Sequence, residues 1–349
     1  MSLVLNSDEA RLKMNLLGKE GTPFVFILDF NFDKCQVYPL SDVPDSIHFE
    51  CSLHSTDFKK TELDSRPQIE VVPLEKEIYG TAFNQVKKEL NFGNSFLLNL
   101  SFRSLIKSSV DLSQLYAAST AKFKLLIKDK LLVYSPERFI QIKGNDIFTF
   151  PMKGTISANI PNAEALVLKN EKELAEHYTI VDLLRNDLSI VATQVEVDQF
   201  RYIDRIHSAK GELLQVSSSI KGKLKESFKS NLGDLFYSLL PAGSVTGAPK
   251  KRTVEIIKEV EPTERGYYTG VFGVFDGQNV DSGVMIRCIQ KEGENYYYHS
   301  GGGITFMSEL EEELEELNQK IYVPSLRNNT NSRRRDPKSQ VPRTKGQSI

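Results

Sequence analysis

Four glutamates fall into two pairs at helical spacing. Glu173 and Glu176 stand three residues apart in KELAEHY, and Glu313 and Glu316 three apart in EELEELNQK. Residues i and i+3 share a face of a helix, so each pair directs two carboxylates the same way. A carboxylate near a core is costly unless it is paired or metal-bound. Two such pairs brought together from separate helices would repel each other without a cation between them. Ligands that are all oxygen suit Mg2+ rather than zinc. On the residues alone, a solvated acidic face is the plainer reading, and the metal stays an alternative.

Three further stretches could do chemistry. Lys153 lies in FPMKGT, just past a strand and beside Gly154. It is a surface charge unless burial frees its amine, when it becomes a nucleophile. PAGSVTGAPK (241–250) fails the spacing of a nucleotide-binding P-loop, yet it offers hydroxyls and backbone N–H groups at a helix N-terminus, which suit an anion. Gly301, Gly302 and Gly303 bare the backbone to close approach. Either glycine stretch can equally be a tight turn.

The elements that must position these residues read as follows. Residues 1–75 suggest short strands in polar connections, with an apolar run at Phe24–Phe30. Ile78, Phe83, Val86 and Leu90 predict a helix over 76–92, followed by a strand from Phe96. A short helix is expected at Asp111–Thr120, a strand or hairpin at Phe123–Val133, and a hairpin at Phe139–Phe150 turning at Gly144-Asn145-Asp146. Residues 161–188 read as one helix, apolar nearly all round and therefore buried. Strands near Val191–Val197 and Leu213–Ile220 and helices at Leu232–Leu240 and Lys251–Glu259 follow, then hairpin strands at Thr269–Phe275, Val284–Gln290 and Tyr296–Ser300. In the last helix, Ser308–Ile321, a stripe of Leu310, Leu314, Leu317 and Ile321 faces a core, and Glu309, Glu313, Glu316 and Lys320 flank it. Hairpins mixed with helices predict an α+β fold with antiparallel sheets.

Composition sets outer bounds. The 349 residues are 40% hydrophobic and 26% charged, as in an ordinary globular protein. No apolar run is long enough to span a bilayer, and the first residues lack the pattern of a secretory signal. Cys35, Cys51 and Cys288 support neither a disulfide framework nor a zinc knuckle. These features predict a cytoplasmic protein with no membrane association. The net charge of −2 conceals a division: residues 325–349 carry seven basic residues and one acid, and the rest has an excess of eight acids. An acidic body would repel phosphate, so no nucleic-acid partner is expected and the tail reads as disordered.

Taken together, SPERF (135–139), PMKGT (151–155), AEHYTIVDLLRNDL (175–188), PAGSVTGAPK, ERGYYTG (264–270), VMIRC (284–288) and GGGI (301–304) resemble the chorismate-utilising enzymes. That family includes the anthranilate, aminodeoxychorismate, isochorismate and salicylate synthases. The motifs occur in the family's order over residues 76–322. The resemblance implies one catalytic unit over 1–324, two antiparallel sheet layers wrapped by helices with the site between them. It also implies Mg2+ held directly by Glu176 and Glu316 and through water by Glu173 and Glu313. Lys320 would help with the ring carboxylate of chorismate. Tyr268, Arg287 and Gly301–Gly303 would receive the enolpyruvyl carboxylate, and Thr155, Thr246 and Gly247 would line the pocket.

Lys153 selects among the activities. Aminodeoxychorismate synthases typically carry Lys there, and anthranilate and isochorismate synthases Ala. The resemblance implies that Lys153 attacks C2 of chorismate while the C4 hydroxyl departs, protonated by Glu137, and that ammonia then displaces the lysine. A separate glutamine amidotransferase would supply the ammonia, and the product would feed 4-aminobenzoate and folate synthesis. Anthranilate synthesis and a catalytically altered chorismate-binding protein are the alternatives. Two positions depart from the pattern: Leu97 stands where relatives carry a Lys or Gln, and Gln215 where they usually carry a His.

Overall fold

The computed structural model describes residues 4–59, 67–208 and 211–323. The basic tail from residue 325 lies outside the described residues. Helices α1 to α8 span Ser7–Glu20, Lys76–Asn91, Leu112–Ala118, Ala163–Lys169, Glu171–Val191, Leu232–Leu239, Lys250–Val260 and Leu310–Gln319. Strands β1 to β9 span Phe24–Leu28, Gln36–Pro39, Ile47–Glu50, Ile69–Val71, Leu97–Ser108, Phe123–Ile127, Leu131–Ser135, Arg138–Lys143 and Asp146–Thr149. Strands β10 to β17 span Met152–Ser157, Thr193–Ser208, Gly211–Lys223, Gly247–Ala248, Val271–Phe275, Val280–Val284, Cys288–Glu292 and Asn295–Ile304.

The strands form two antiparallel sheets. The nine-stranded sheet runs β10-β12-β9-β8-β15-β14-β1-β2 with β11 beside β12, and the eight-stranded sheet runs β13-β5-β17-β16-β7-β6-β3 with β4 beside β5. Alternation along β1 shows how they stack. Phe24, Phe26 and Leu28 pack with Met14, Leu184 and Phe236 of α1, α5 and α6, while Val25 and Ile27 pack with Phe49, Leu125 and Val133 of the other sheet. On the far side, Leu98, Leu100 and Phe102 of β5 meet Val86, Ile257 and Leu317 of α2, α7 and α8. The order is helices, sheet, sheet, helices, which is the expected α+β architecture.

Five local expectations need correction. Residues 1–75 contain α1, opened by a capping box between Asn6 and Glu9 and closed by Gly21 at φ +68°. The helix expected over 161–188 is two, because Asn170 is extended and caps α5 through its side chain. Nor is α5 apolar all round: Ile180, Val181, Leu184 and Leu188 are buried, while Asp182, Arg185 and Asn186 are exposed. Ile78 is exposed, and Tyr79 takes the core position on α2. Finally, Val284–Gln290 is not one strand. β15 ends at Val284 in one sheet and β16 begins at Cys288 in the other, so Met285–Arg287 carries the chain across the molecule. Arg287 makes the turn at φ +54°.

Candidate active site

Lys153 takes its direction from a β-bulge. β10 pairs Met152 with Ser217 and Thr155 with Gln215, one residue too many on its side, and Gly154 adopts φ +87°. A bulge leaves a residue out of the ladder and re-aims its side chain. Lys153 Nζ reaches Glu176 Oε2 on α5 at 2.8 Å. A Cβ on Gly154 would fall 3.5 Å from Glu173 Oε2, so both glutamates of α5 border the bulge.

The opposite wall is the glycine strand. The ladder from β16 to β17 ends at Cys288–His299, while that from β5 continues to Leu98–Ile304. Gly301–Gly303 are thus strand rather than turn, with one edge open where the chain crosses between sheets. A Cβ on Gly302 would fall 3.4 Å from Glu313 Oε2 and 3.9 Å from both Glu316 Oε1 and Lys320 Nζ. One on Gly303 would fall 3.6 Å from Lys153 Nζ. Lys320 pairs with Glu316 at 2.6 Å and donates to Gly301 O at 2.8 Å. Lys153, Lys320, Glu313 and Glu316 therefore meet the three glycines, and Glu176 and Glu173 join them through Lys153 and the bulge.

Burial pulls the Lys153 amine towards neutrality, but Glu176, Glu173 and Glu316 outweigh it and hold its pKa above the ordinary value. Burial wins at Lys320, whose pKa is lowered. Glu137 follows β7 and accepts from Ser244 Oγ at 2.5 Å. Burial raises its pKa, opposed by Ser244, Arg287, Lys153 and Lys320. A pKa raised by burial, even beside cationic groups, suits a carboxyl to act as an acid.

Arg287 donates from Nη1 to Lys320 O at 3.4 Å and lies 5.2 Å from the Tyr322 ring, while its buried Nε has no hydrogen-bond partner among the described residues. Tyr268 is buried against His299, ring centroids 5.2 Å apart. Gly247 sits at φ +135°, and a Cβ there would come within 1.9 Å of Leu97 O, so only glycine lets β13 pair with β5. The Thr246 hydroxyl is turned into its own loop, donating to Ala242 O at 2.9 Å, and Thr155 is exposed. These two threonines are the predicted residues not drawn into the cluster.

Sequence reading missed the supports. Arg265 and Glu261 form a buried ion pair at 2.7 Å. Arg265 also donates to Val245 O and Asn99 O, and Glu261 accepts from Ser101, tying the 241–250 loop to β5. Lys250 reaches Asp187 at 2.8 Å and fastens the same loop to α5. His177 bonds Ser218 Oγ at 2.7 Å, holding α5 against β12. The sequence offered a trace of Arg265, inside ERGYYTG, and no local signal for Glu261.

Among the described residues, no three His, Cys, Asp or Glu side chains are already gathered as a ligand cluster. The donor chemistry nonetheless fits a hard divalent cation: two carboxylates border the bulge of β10, two border Gly302, and one of each pair is held by a lysine ammonium group.

An amine beside a carboxylate set, a buried carboxyl of raised pKa, a glycine edge and a buried arginine define a site for a small anionic substrate. Residues 29–325 match the chorismate binding enzymes, and the chain belongs to that family. It is 46% identical over 314 residues to a PabA-like protein of Haemophilus influenzae, covering 89% of this chain and 94% of that one. To aminodeoxychorismate synthase component 1 of Bacillus subtilis it is 33% identical over 267 residues, covering 72% of this chain and 55% of the relative. It thus spans about half the length of that relative. The solved anthranilate synthase component I of Streptococcus pneumoniae shares the fold, with a TM-score of 0.62 at 24% identity over 74% of this chain and 59% of that one. No helix among the described residues is long and apolar enough to cross a membrane.

Proposed function

We propose that this enzyme converts chorismate and ammonia to 4-amino-4-deoxychorismate, with Lys153 as covalent nucleophile. The observation that supports this best is the aim of Lys153: a bulge turns its amine to the glycine strand, within 3.6 Å of where a Gly303 side chain would stand. Lys153 Nζ bonds to C2 of the ring, two ring double bonds shift, and the C4–O bond breaks as Glu137 gives its proton to the leaving hydroxyl. Ammonia then forms the C4–N bond, the double bonds return, and the C2–Nζ bond breaks with its electron pair leaving on the lysine. Splitting one displacement into two suits an amine nucleophile.

Glu176 and Glu316, with Glu173 and Glu313 through water, would hold Mg2+. When bound, the ion supplies positive charge for the ring carboxylate. The free Nε of Arg287 and the open edge of Gly301–Gly303 suit the second carboxylate, because an orphaned buried donor is satisfied by an anion. Ammonia would come from a separate glutamine amidotransferase in the cytoplasm, and the product would serve 4-aminobenzoate and folate synthesis.

The test is incubation of the purified chain with chorismate, Mg2+ and an ammonium salt, with the product identified by mass and chromatography. Aminodeoxychorismate is the expected product. Anthranilate with pyruvate, or isochorismate, would overturn the proposal.

A further inference from the structure

A buried amide oxygen beside the glycine strand has no hydrogen-bond partner among the described residues. Asn99 lies on β5 opposite Gly303, its backbone N–H donating to Thr246 O and its carbonyl accepting from Arg265. Its side-chain Oδ1 accepts no hydrogen bond from any described residue. Such a group is costly in a folded protein and calls for a cause.

Its surroundings supply one. Leu98, Leu100 and Phe102 pack with the outer helices, so alternation turns Leu97 and Asn99 to the other face of β5. Opposed residues of an antiparallel pair share a face, which puts Asn99 on the side of Gly303 that Lys153 approaches. A Cβ on Gly303 would lie 3.1 Å from Leu97 Cδ1 and 3.6 Å from Lys153 Nζ, and one on Gly301 would lie 3.0 Å from Asn99 Oδ1. The glycines therefore add no side chain to the interval between Asn99 and Lys153, and Leu97 borders it.

Resting on the amination reading above, we infer that Asn99 binds the incoming ammonia. Chorismate has no N–H group, whereas ammonia has three. An N–H donated to Oδ1 anchors the nitrogen and leaves its lone pair free for C4. A donor at position 97 would mask that lone pair, and leucine cannot. Attack forms the C4–N bond and breaks the C2–Nζ bond, and one proton of the entering nitrogen passes to the lysine amine, which departs with its electron pair. The departure at Leu97 and the orphan at Asn99 thus belong together: the amine is held two residues along the strand, on the same face.

The test is steady-state kinetics of the full chain with chorismate, Mg2+ and varied ammonium, for the wild type and for Asn99→Leu, Asn99→Ser and Asn99→Asp. Removing the acceptor should raise the ammonium KM about tenfold. The chorismate KM should stay within about twofold, and a Lys153 adduct should still form without ammonium and be visible by intact mass. Asn99→Asp keeps an acceptor and should retain an ammonium KM near that of the wild type. If Asn99→Leu fails to fold, Asn99→Ser, whose shorter side chain withdraws the acceptor from where Oδ1 stands, carries the comparison. An unchanged ammonium KM in the folded Leu or Ser variant, or a rise confined to chorismate, overturns the role of Asn99 alone. A wild type that makes no aminated product removes the amination reading and this role with it.

Discussion

Lys153 Nζ and Glu176 Oε2 stand 2.8 Å apart, so the proposed nucleophile and a proposed metal ligand neutralise each other across the bulge of β10 and helix α5. The pairing keeps the lysine protonated, and a protonated amine has no lone pair to attack with. A cation taken up by Glu176 would compete with the lysine for the carboxylate. Activity should therefore be lost on chelation and restored by Mg2+, and Lys153→Ala should abolish both turnover and the covalent adduct. Intact mass after exposure to chorismate checks the second point, and an adduct persisting in Lys153→Ala would remove that lysine from the chemistry.

Ser244 holds the acid. Its hydroxyl donates to Glu137 at 2.5 Å and stabilises the charged carboxylate, against a burial that disfavours it. Ser244→Ala should raise the Glu137 pKa further, so the proton persists to higher pH. The alkaline limb of the kcat/KM profile should then move upward, while Glu137→Gln should lose that limb together with most activity.

His299 gives a stability test. Burial, with Arg103 and Arg265 nearby, lowers its pKa from 6.5 to about 3. Between those values the unfolded chain binds a proton that the folded chain refuses, so stability falls as pH falls through that window, by up to about 1.4 kcal/mol per pH unit. His299→Gln should flatten this slope. Urea midpoints measured across the window check it, and an unchanged slope would assign the acid sensitivity to other groups.

The Arg265–Glu261 pair is closed to water on both sides. Arg265→Leu leaves a buried carboxylate unpaired and should cost about 3–5 kcal/mol, read as a fall in denaturation midpoint. Arg265→Lys should recover only part, since one ammonium cannot reproduce the fork that reaches Val245 O, Asn99 O and Glu261.

The glycines should separate by role. Gly247→Ala places a Cβ 1.9 Å from Leu97 O and should prevent stable folding, whereas Gly302→Ala meets Glu313 Oε2 at 3.4 Å and should fold while losing substrate affinity. Thermal melts beside chorismate KM values distinguish them.

What could be read in advance was what one stretch of chain decides by itself. The stripe through Leu317 and the hairpin turning at Gly144 follow from local period and turn chemistry, and they stand as expected. The capping box of Asn6 and Glu9 is equally local, but the apolar pattern after it is too weak to announce a helix. The rest depends on partners far along the chain. No property of VMIRC announces that Val284 and Cys288 belong to different sheets, and a bulge at Lys153 exists only against β12. The motif residues could be placed in the site by resemblance, whereas Glu261 and Ser218 become visible only when β5 and α5 find their neighbours.

The crossing at Met285–Arg287 has a consequence for how the molecule fails. Lys153 belongs to one sheet and the glycine strand to the other, so the pocket is a vernier between two plates. A slip of one residue along a strand moves its atoms by about 3.3 Å, more than the 2.8 Å that joins Lys153 to Glu176. A much smaller slip would leave the apolar layers covered and the site out of alignment. Mild denaturant should therefore silence this enzyme well before it unfolds it.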